Sequence, residues 1–272
     1  MPPLSSPLTN PRSDRVKAVR ALSRRSVRAR TGRFLAEGPQ SVREAVRWRP
    51  ADVVDLYVTA AAAERHPDIL ALAHEAGVFV HEVTEPVLAA MSDTEQPQGL
   101  TAVCRVAPAS LEDVLGAGPR LMVLLTNVRD PGNAGTVIRG ADAVGADAVL
   151  VSGNSVDVYS PKVVRSTAGS IFHLPVVTGL EIDDALSALR NQGVRLLAAD
   201  GAGERLLPDA DLHPPHAWVM GNEAWGLEPH VREQCDEVVR VPIYGKAESL
   251  NLAMAATVCL YASAGALGPR RR

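Results

Sequence analysis

Three cysteines in 272 residues, Cys104, Cys235 and Cys259, are too isolated and odd in number to form a disulfide framework. No CxxC spacing occurs, so structural zinc is disfavoured and no metal is expected. No uninterrupted apolar run approaches the roughly 20 residues that span a bilayer, and no membrane partner is expected. Met1 to Asn10 is rich in Pro and Ser and lacks the apolar centre of a signal peptide. A Walker A sequence is missing, which disfavours P-loop chemistry. There is no internal repeat, and Trp48, Trp218 and Trp225 form no base-stacking array. These absences point to a reducing compartment, with the cytoplasm as the expected location. The 46% hydrophobic and 22% charged residues that remain are those of an ordinary globular protein.

Charge is distributed unevenly. Residues 1–50 hold 12 Lys/Arg against 3 Asp/Glu, while the rest of the chain holds 16 against 28. Arg20, Arg24, Arg25, Arg28, Arg30 and Arg33 fall in one short stretch with almost no acid to neutralise them along a helix. A solvated helix face is the plain alternative, but nucleic-acid phosphate is the favoured partner. An acidic protein with one basic arm reads as a locally targeted RNA or DNA binder.

Hydrophobic patterning divides the chain in two. Residues 1–11 read as a disordered tail and 12–107 as a small α/β unit, beginning with a basic helix over Val16 to Arg30 and a strand at Phe34 to Gly38. Residues 108–119, with two prolines and two glycines, are the expected linker. Residues 120–266 alternate strand and helix, which implies a mostly parallel sheet covered on both faces. Residues 267–272 form a second tail.

Three segments carry the chemistry. Glu248-Ser249-Leu250-Asn251-Leu252 places polar side chains at the mouth of an apolar helix, with Ser249 the expected N-cap and Leu252 to Leu260 expected to be buried. Asn251 has no local reason to be there, because Asn disfavours helix interiors. The second segment, Asn127 to Arg139, follows the strand Leu121 to Leu125. Its DPGNAG turn is not a GxGxxG fingerprint, so dinucleotide binding is disfavoured, and by itself it could be only a turn followed by an Asn N-cap before a helix from Ala134. Arg139 rises from an apolar helix there, where an arginine pairs with a carboxylate or binds phosphate. The third, Met220-Gly221-Asn222-Glu223, follows the strand Ala217 to Val219, and Glu223 could cap a helix or pair with Arg139. In open α/β sheets ligand sites collect where strands end in such turns.

Together these segments resemble the signature motifs of the SpoU (TrmH) family of RNA ribose methyltransferases, in the SPOUT superfamily. The matching stretches are Asn133 to Gly145, Val219 to Leu227, and Val241-Pro242-Ile243 with Glu248 to Ala253, in the family's order over roughly residues 120–265. Less specifically, Phe34 to Gly38 and its surroundings resemble the small RNA-binding domain that many members carry ahead of the catalytic one. The resemblance implies a parallel sheet with a C-terminal trefoil knot, S-adenosylmethionine as cofactor, and a homodimer formed through the catalytic domain. It also implies roles. Arg139 matches the catalytic arginine, Asn133 the asparagine that helps place it, Glu223 the second-motif acid, and Ser249 with Asn251 the third-motif polar pair. Met220, Gly221, Asn222, Ile243, Leu250 and Leu252 would line the cofactor pocket. The implied reaction is 2′-O-methylation of a ribose in structured RNA, with large-subunit ribosomal RNA favoured by the separate N-terminal domain. Alternatives are a transfer-RNA 2′-O-methyltransferase and a catalytically silent RNA-binding protein of the same fold. A small-molecule methyltransferase fits poorly with the basic arm.

Overall fold

In the computed structural model, which describes residues 7–107 and 109–268, the basic stretch forms two helices where one was expected. α1 (Asp14–Ala21) is capped by the Ser13 side chain, and α2 (Arg25–Thr31) ends on Gly32 in the left-handed region. The physical reason for the break is Arg28. Its buried guanidinium donates to the carbonyls of Leu22 and Ser23, which the break leaves without helical partners, and its Nε donates to Asp157 Oδ2 at 3.0 Å. Of the expected N-terminal tail, residues 1–6 lie outside the described residues, whereas Leu8 bridges to Val83 and packs on the core.

Contacts divide the chain into two units: Met1–Ala107 with Asp157–His173, and Pro108–Val156 with Leu174–Arg272. The first continues with β1 (Arg33–Glu37), α3 (Pro39–Trp48), β2 (Val53–Thr59), α4 (Ala60–Arg65), α5 (Pro67–Glu75), β3 (Val80–Val83), α6 (Glu85–Met91) and β4 (Leu100–Arg105). Its sheet runs β1-β4-β2-β3, with β2 and β3 parallel and the other pairs antiparallel. Leu35, Tyr57, Leu88 and Met91 anchor its core.

The second unit begins inside the expected linker. Pro108 lies outside the described residues, but Ser110 caps α7 (Leu111–Gly116), whose Val114 joins the core. Then follow β5 (Leu121–Leu125), α8 (Pro131–Ala143) and β6 (Ala148–Ser152). α9 (Pro161–Thr167) belongs to the first unit, where Tyr159 and Phe172 pack their rings on Phe34. The second unit resumes with β7 (Val176–Leu180), α10 (Ile182–Asn191), β8 (Arg195–Ala199), the short β9 (Arg205–Leu206) that the hydrophobic pattern had not marked, and β10 (His216–Met220). α11 (Pro229–Glu233), β11 (Glu237–Arg240) and α12 (Leu252–Leu267) complete it. Of the expected C-terminal tail, Leu267 closes α12 and residues 269–272 lie outside the described residues.

Its seven strands run β7-β6-β5-β10-β8-β11-β9, and every pairing is parallel. Every residue of β5, β6 and β10 is buried, as expected when both faces of a parallel sheet are covered. From β5 the chain winds outward through β6 to β7, while β8 and β11 lie beyond β10. The strand order therefore reverses between β5 and β10. A crevice opens at the carboxyl ends of strands at such a switch point.

Candidate active site

The loops after β5 and β10 meet at that crevice. Asn127 leaves β5 with φ at 55°, a left-handed conformation that asparagine tolerates better than most residues. Its backbone N–H donates to Ser152 Oγ and its Nδ2 to Glu228 Oε1, while its carbonyl accepts from Asn222 Nδ2 at 2.6 Å. Asn222 is thus turned inward and buried, and it shapes the loop while its backbone faces the crevice. Asp130 and not the expected Asn133 caps α8: its carboxylate accepts from Asn133 N at 2.7 Å, which puts Asn133 in the first turn of the helix.

Glu223 ties the two loops together. One carboxylate oxygen accepts from Arg129 N at 3.1 Å; the other accepts from Asp130 N at 3.0 Å and Asn133 Nδ2 at 3.2 Å. Partial burial acts to raise its pKa, but the amides of Arg129, Glu223 and Asp130 and the Asn133 side chain hold the carboxyl below the usual glutamate value. Asn133 Oδ1 in turn accepts from Asn251 Nδ2 at 2.9 Å. Asn251 is the N-cap of α12, accepting from Ala253 N and Met254 N. This corrects the expected cap: the helix starts at Leu252, and Ser249 lies exposed in the preceding loop. Asn251 wins because its oxygen reaches two free amides while its nitrogen remains available for Asn133. Three residues more than 25 positions apart pairwise, or from different loops, become one hydrogen-bonded chain.

Beside this chain lies a cavity of about 800 Å³. Met220, Gly221, Asn222, Glu223, Ile243 and Ser249 line it, as do Leu250 and Leu252. Gly221 is required there: a Cβ on it would fall 2.2 Å from the Gly226 carbonyl carbon, because Asn222 and Gly226 close a tight backbone pair.

Arg139 stands apart from the chain. It is exposed on α8, about 9 Å along the axis from Asn133, and among the described residues it makes no hydrogen bond or ion pair. The alternative in which it pairs with Glu223 is not realised, because the carboxylate is taken by other donors. In the basic arm, Arg20, Arg24, Arg25, Arg30 and Arg33 are exposed, whereas Arg28 is not. Arg28 is removed from the RNA-facing set: its charge is spent on Asp157. Asn127, Asp130 and Glu228 hold the crevice loops by hydrogen bonds, and sequence reasoning did not single them out. An asparagine just past a buried strand, with Thr126 between them, was the one available signal for Asn127.

A model of the SpoU rRNA methylase family matches residues 120–261, about half of the chain. The chain belongs to that family. The SpoU region spans every residue of the hydrogen-bonded chain and of the cavity, and it includes 157–173, which group with the first unit. A second model, the MRM3-like substrate binding domain, matches residues 13–102. Among relatives of this SpoU protein, the 23S rRNA (guanosine(2553)-2′-O)-methyltransferase RlmP of Bacillus subtilis is 34% identical, covering 92% of this chain and 96% of that protein. The AdoMet-bound rRNA methyltransferase from Sinorhizobium meliloti matches with a TM-score of 0.84 at 30% identity, over 97% of this chain and 99% of that one. The SpoU methyltransferase AviRb from Streptomyces viridochromogenes, in complex with AdoMet, gives 0.81 at 31% identity, over 94% and 99%.

Proposed function

We propose that this SpoU protein transfers the methyl group of S-adenosylmethionine to a ribose 2′-hydroxyl of structured RNA, with large-subunit ribosomal RNA as the substrate. The observation that carries the reading is the chain Glu223–Asn133–Asn251 at the rim of a glycine-closed cavity on the sheet's switch point. RlmP and the Sinorhizobium meliloti protein are rRNA methyltransferases, and two of the similar structures hold AdoMet.

The cavity fits the cofactor. Its volume lies within the range of small-molecule sites, and Gly221 brings backbone rather than side chains to its wall. Met220, Gly221, Ile243, Leu250 and Leu252 would hold the molecule. When bound, S-adenosylmethionine supplies an electrophilic methyl group on sulfur. The protein's own task is to bring the ribose oxygen to that carbon in line and to fix it there. Glu223 stays ionised and holds Asn133 at the rim, and Asn251 locks the other side of Asn133. Ser249, free of capping duty, offers its hydroxyl to the same space. Arg139, whose donors meet no partner among the described residues, engages the ribose or its phosphate. A guanidinium stays protonated in proteins, so Arg139 acts as positioner and electrostatic stabiliser and not as the base.

The first unit binds RNA through the exposed arginines of α1, α2 and β1. The same reading places the enzyme in the cytoplasm and threads its C-terminal segment as a trefoil knot. It also makes the protein a homodimer through the catalytic unit. Support for the dimer comes from α12, where Met254, Val258 and Tyr261 expose 61%, 42% and 56% of their surfaces at helical spacing. That stripe corrects the expectation of a fully buried helix. No described helix is long and apolar enough to cross a membrane.

The test is incubation with radiolabelled S-adenosylmethionine and protein-free 23S rRNA, followed by alkaline hydrolysis. A methylated ribose blocks strand cleavage, so the label should appear in an alkali-resistant dinucleotide. Label in mononucleotides, or none, would defeat the reading.

A further inference from the structure

We infer that the first unit carries a second binding site, a pocket for one unstacked nucleobase of the RNA substrate. The inference takes its ligand class from the proposed RNA methyltransferase activity, but its geometry belongs to different residues. The pocket, about 270 Å³, lies where β1 and β4 meet the start of α3. That volume falls just below the range of drug-sized sites and suits a single base ring, not a folded segment of chain.

Its floor is built from two cross-strand neighbours. Glu37 pairs with Thr101 in the β1–β4 register, so both side chains project from one face of the sheet. Glu37 is buried, but its charge is answered within the protein by Arg165 and by Asp93 N, which donates at 2.6 Å. Thr101 is only 1% exposed, and its Oγ1 has no hydrogen-bond partner among the described residues. A buried hydroxyl left unpaired is uncommon and calls for a partner from outside.

The mouth carries three amide side chains, Gln40, Gln96 and Gln98, and that of Gln40 is already engaged by Glu44 and Arg43. The amides of Gln96 and Gln98 each donate and accept, the combination that the edges of nucleobases present. Gly38 has φ at 88° and caps α3 without a side chain, and a Cβ there would come within 2.9 Å of Gln98 Oε1. The glycine therefore lets the Gln98 amide lie against the backbone at the rim. Exposed Arg20 donates to the carbonyl of Ser92, another lining residue, and so sets a cation of the basic arm beside the opening. A base in the pocket would have its phosphate next to that charge. Glu37 and Arg165 answer each other in the pocket wall, so no unpaired cation awaits an acidic peptide, and the amides at the mouth beside a cationic arm match RNA better.

The experiment uses the full chain, labelled S-adenosylmethionine and protein-free 23S rRNA at graded concentration. Gln96→Ala/Gln98→Ala and, separately, Thr101→Val are compared with wild type. Losing one or two base-directed hydrogen bonds should raise KM for the rRNA about tenfold, with kcat and cofactor Kd unchanged. Thr101→Val preserves shape and removes the unpaired hydroxyl, so its melting temperature should not fall. The salt dependence of rRNA binding should keep its slope, because no phosphate contact is lost. Unchanged KM in both variants overturns the pocket, as does a fall in kcat or cofactor affinity alone. If wild type binds rRNA without methylating it, the activity reading fails while filter retention of the same rRNA still reads the pocket. If wild type does not bind the rRNA, the pocket inference falls with it.

Discussion

Asn251 has two separable jobs, and separating them is the sharpest test of the site. Its oxygen caps α12 and its nitrogen holds Asn133. Asn251→Ala removes both. A lost N-cap is worth about 1 kcal/mol, and an exposed side-chain hydrogen bond adds about 0.5 kcal/mol. At about 2–4 °C per kcal/mol for a chain of this size, the melting temperature should drop by roughly 3–6 °C. Asn251→Asp keeps the cap, and its charge suits the positive end of the helix. It cannot donate to Asn133 Oδ1, however, and sets acceptor against acceptor. Thermal melts and single-turnover methyl transfer, run side by side, distinguish the two. The aspartate variant should melt within about 1 °C of wild type while its rate falls about tenfold, the equivalent of one misplaced hydrogen bond. Full activity in that variant would refute the role given to the Asn133–Asn251 link. An alanine variant that melts like wild type would refute the cap.

Arg139→Ala should melt like wild type and bind the cofactor normally, since the side chain has no partner to abandon; methyl transfer should fall by about a hundredfold or more, and Arg139→Lys should not restore it. A large loss of melting temperature would show a structural role instead. Glu223 titrates lower in the folded chain than in the unfolded one, so on acidification the unfolded state takes up this proton first. Its stabilising contribution is complete above the ordinary glutamate range and is lost as pH falls through the lower folded value. Urea midpoints measured from pH 7 downward should therefore decline more steeply for wild type than for Glu223→Gln, and parallel curves would contradict the assignment. Replacing Arg24, Arg25 and Arg30 with alanine should weaken rRNA binding and flatten its salt dependence, leaving cofactor affinity unchanged. Arg28→Ala should instead destabilise the fold by about 3 kcal/mol, because it strands Asp157 and two carbonyls; loss of RNA affinity without loss of stability would reverse that division of labour.

Local sequence determined a good deal on its own. Apolar runs such as Leu121 to Leu125 had to become buried strands, and their alternation with helices set a parallel sheet. The stretch from Asp130 to Gly135 prescribes a turn and a cap within a few residues, although the cap is Asp130 and not the expected Asn133. The motif order then pointed to the family and named the candidate residues of the site. Tertiary structure decided which members touch. Ser249 reads as the cap from the sequence, yet Asn251 takes that role, its oxygen on two free amides and its nitrogen on Asn133. Arg28 reads like its neighbours in the basic run, yet a carboxylate 129 positions away draws it into the core. Glu223 could have paired with Arg139, but the β5–β10 switch point brings the amides of Arg129 and Asp130 to it first. Capping and strand formation are short-range and therefore written in the sequence. Pairing of charges and amides across the crevice depends on strand order, which no local window contains.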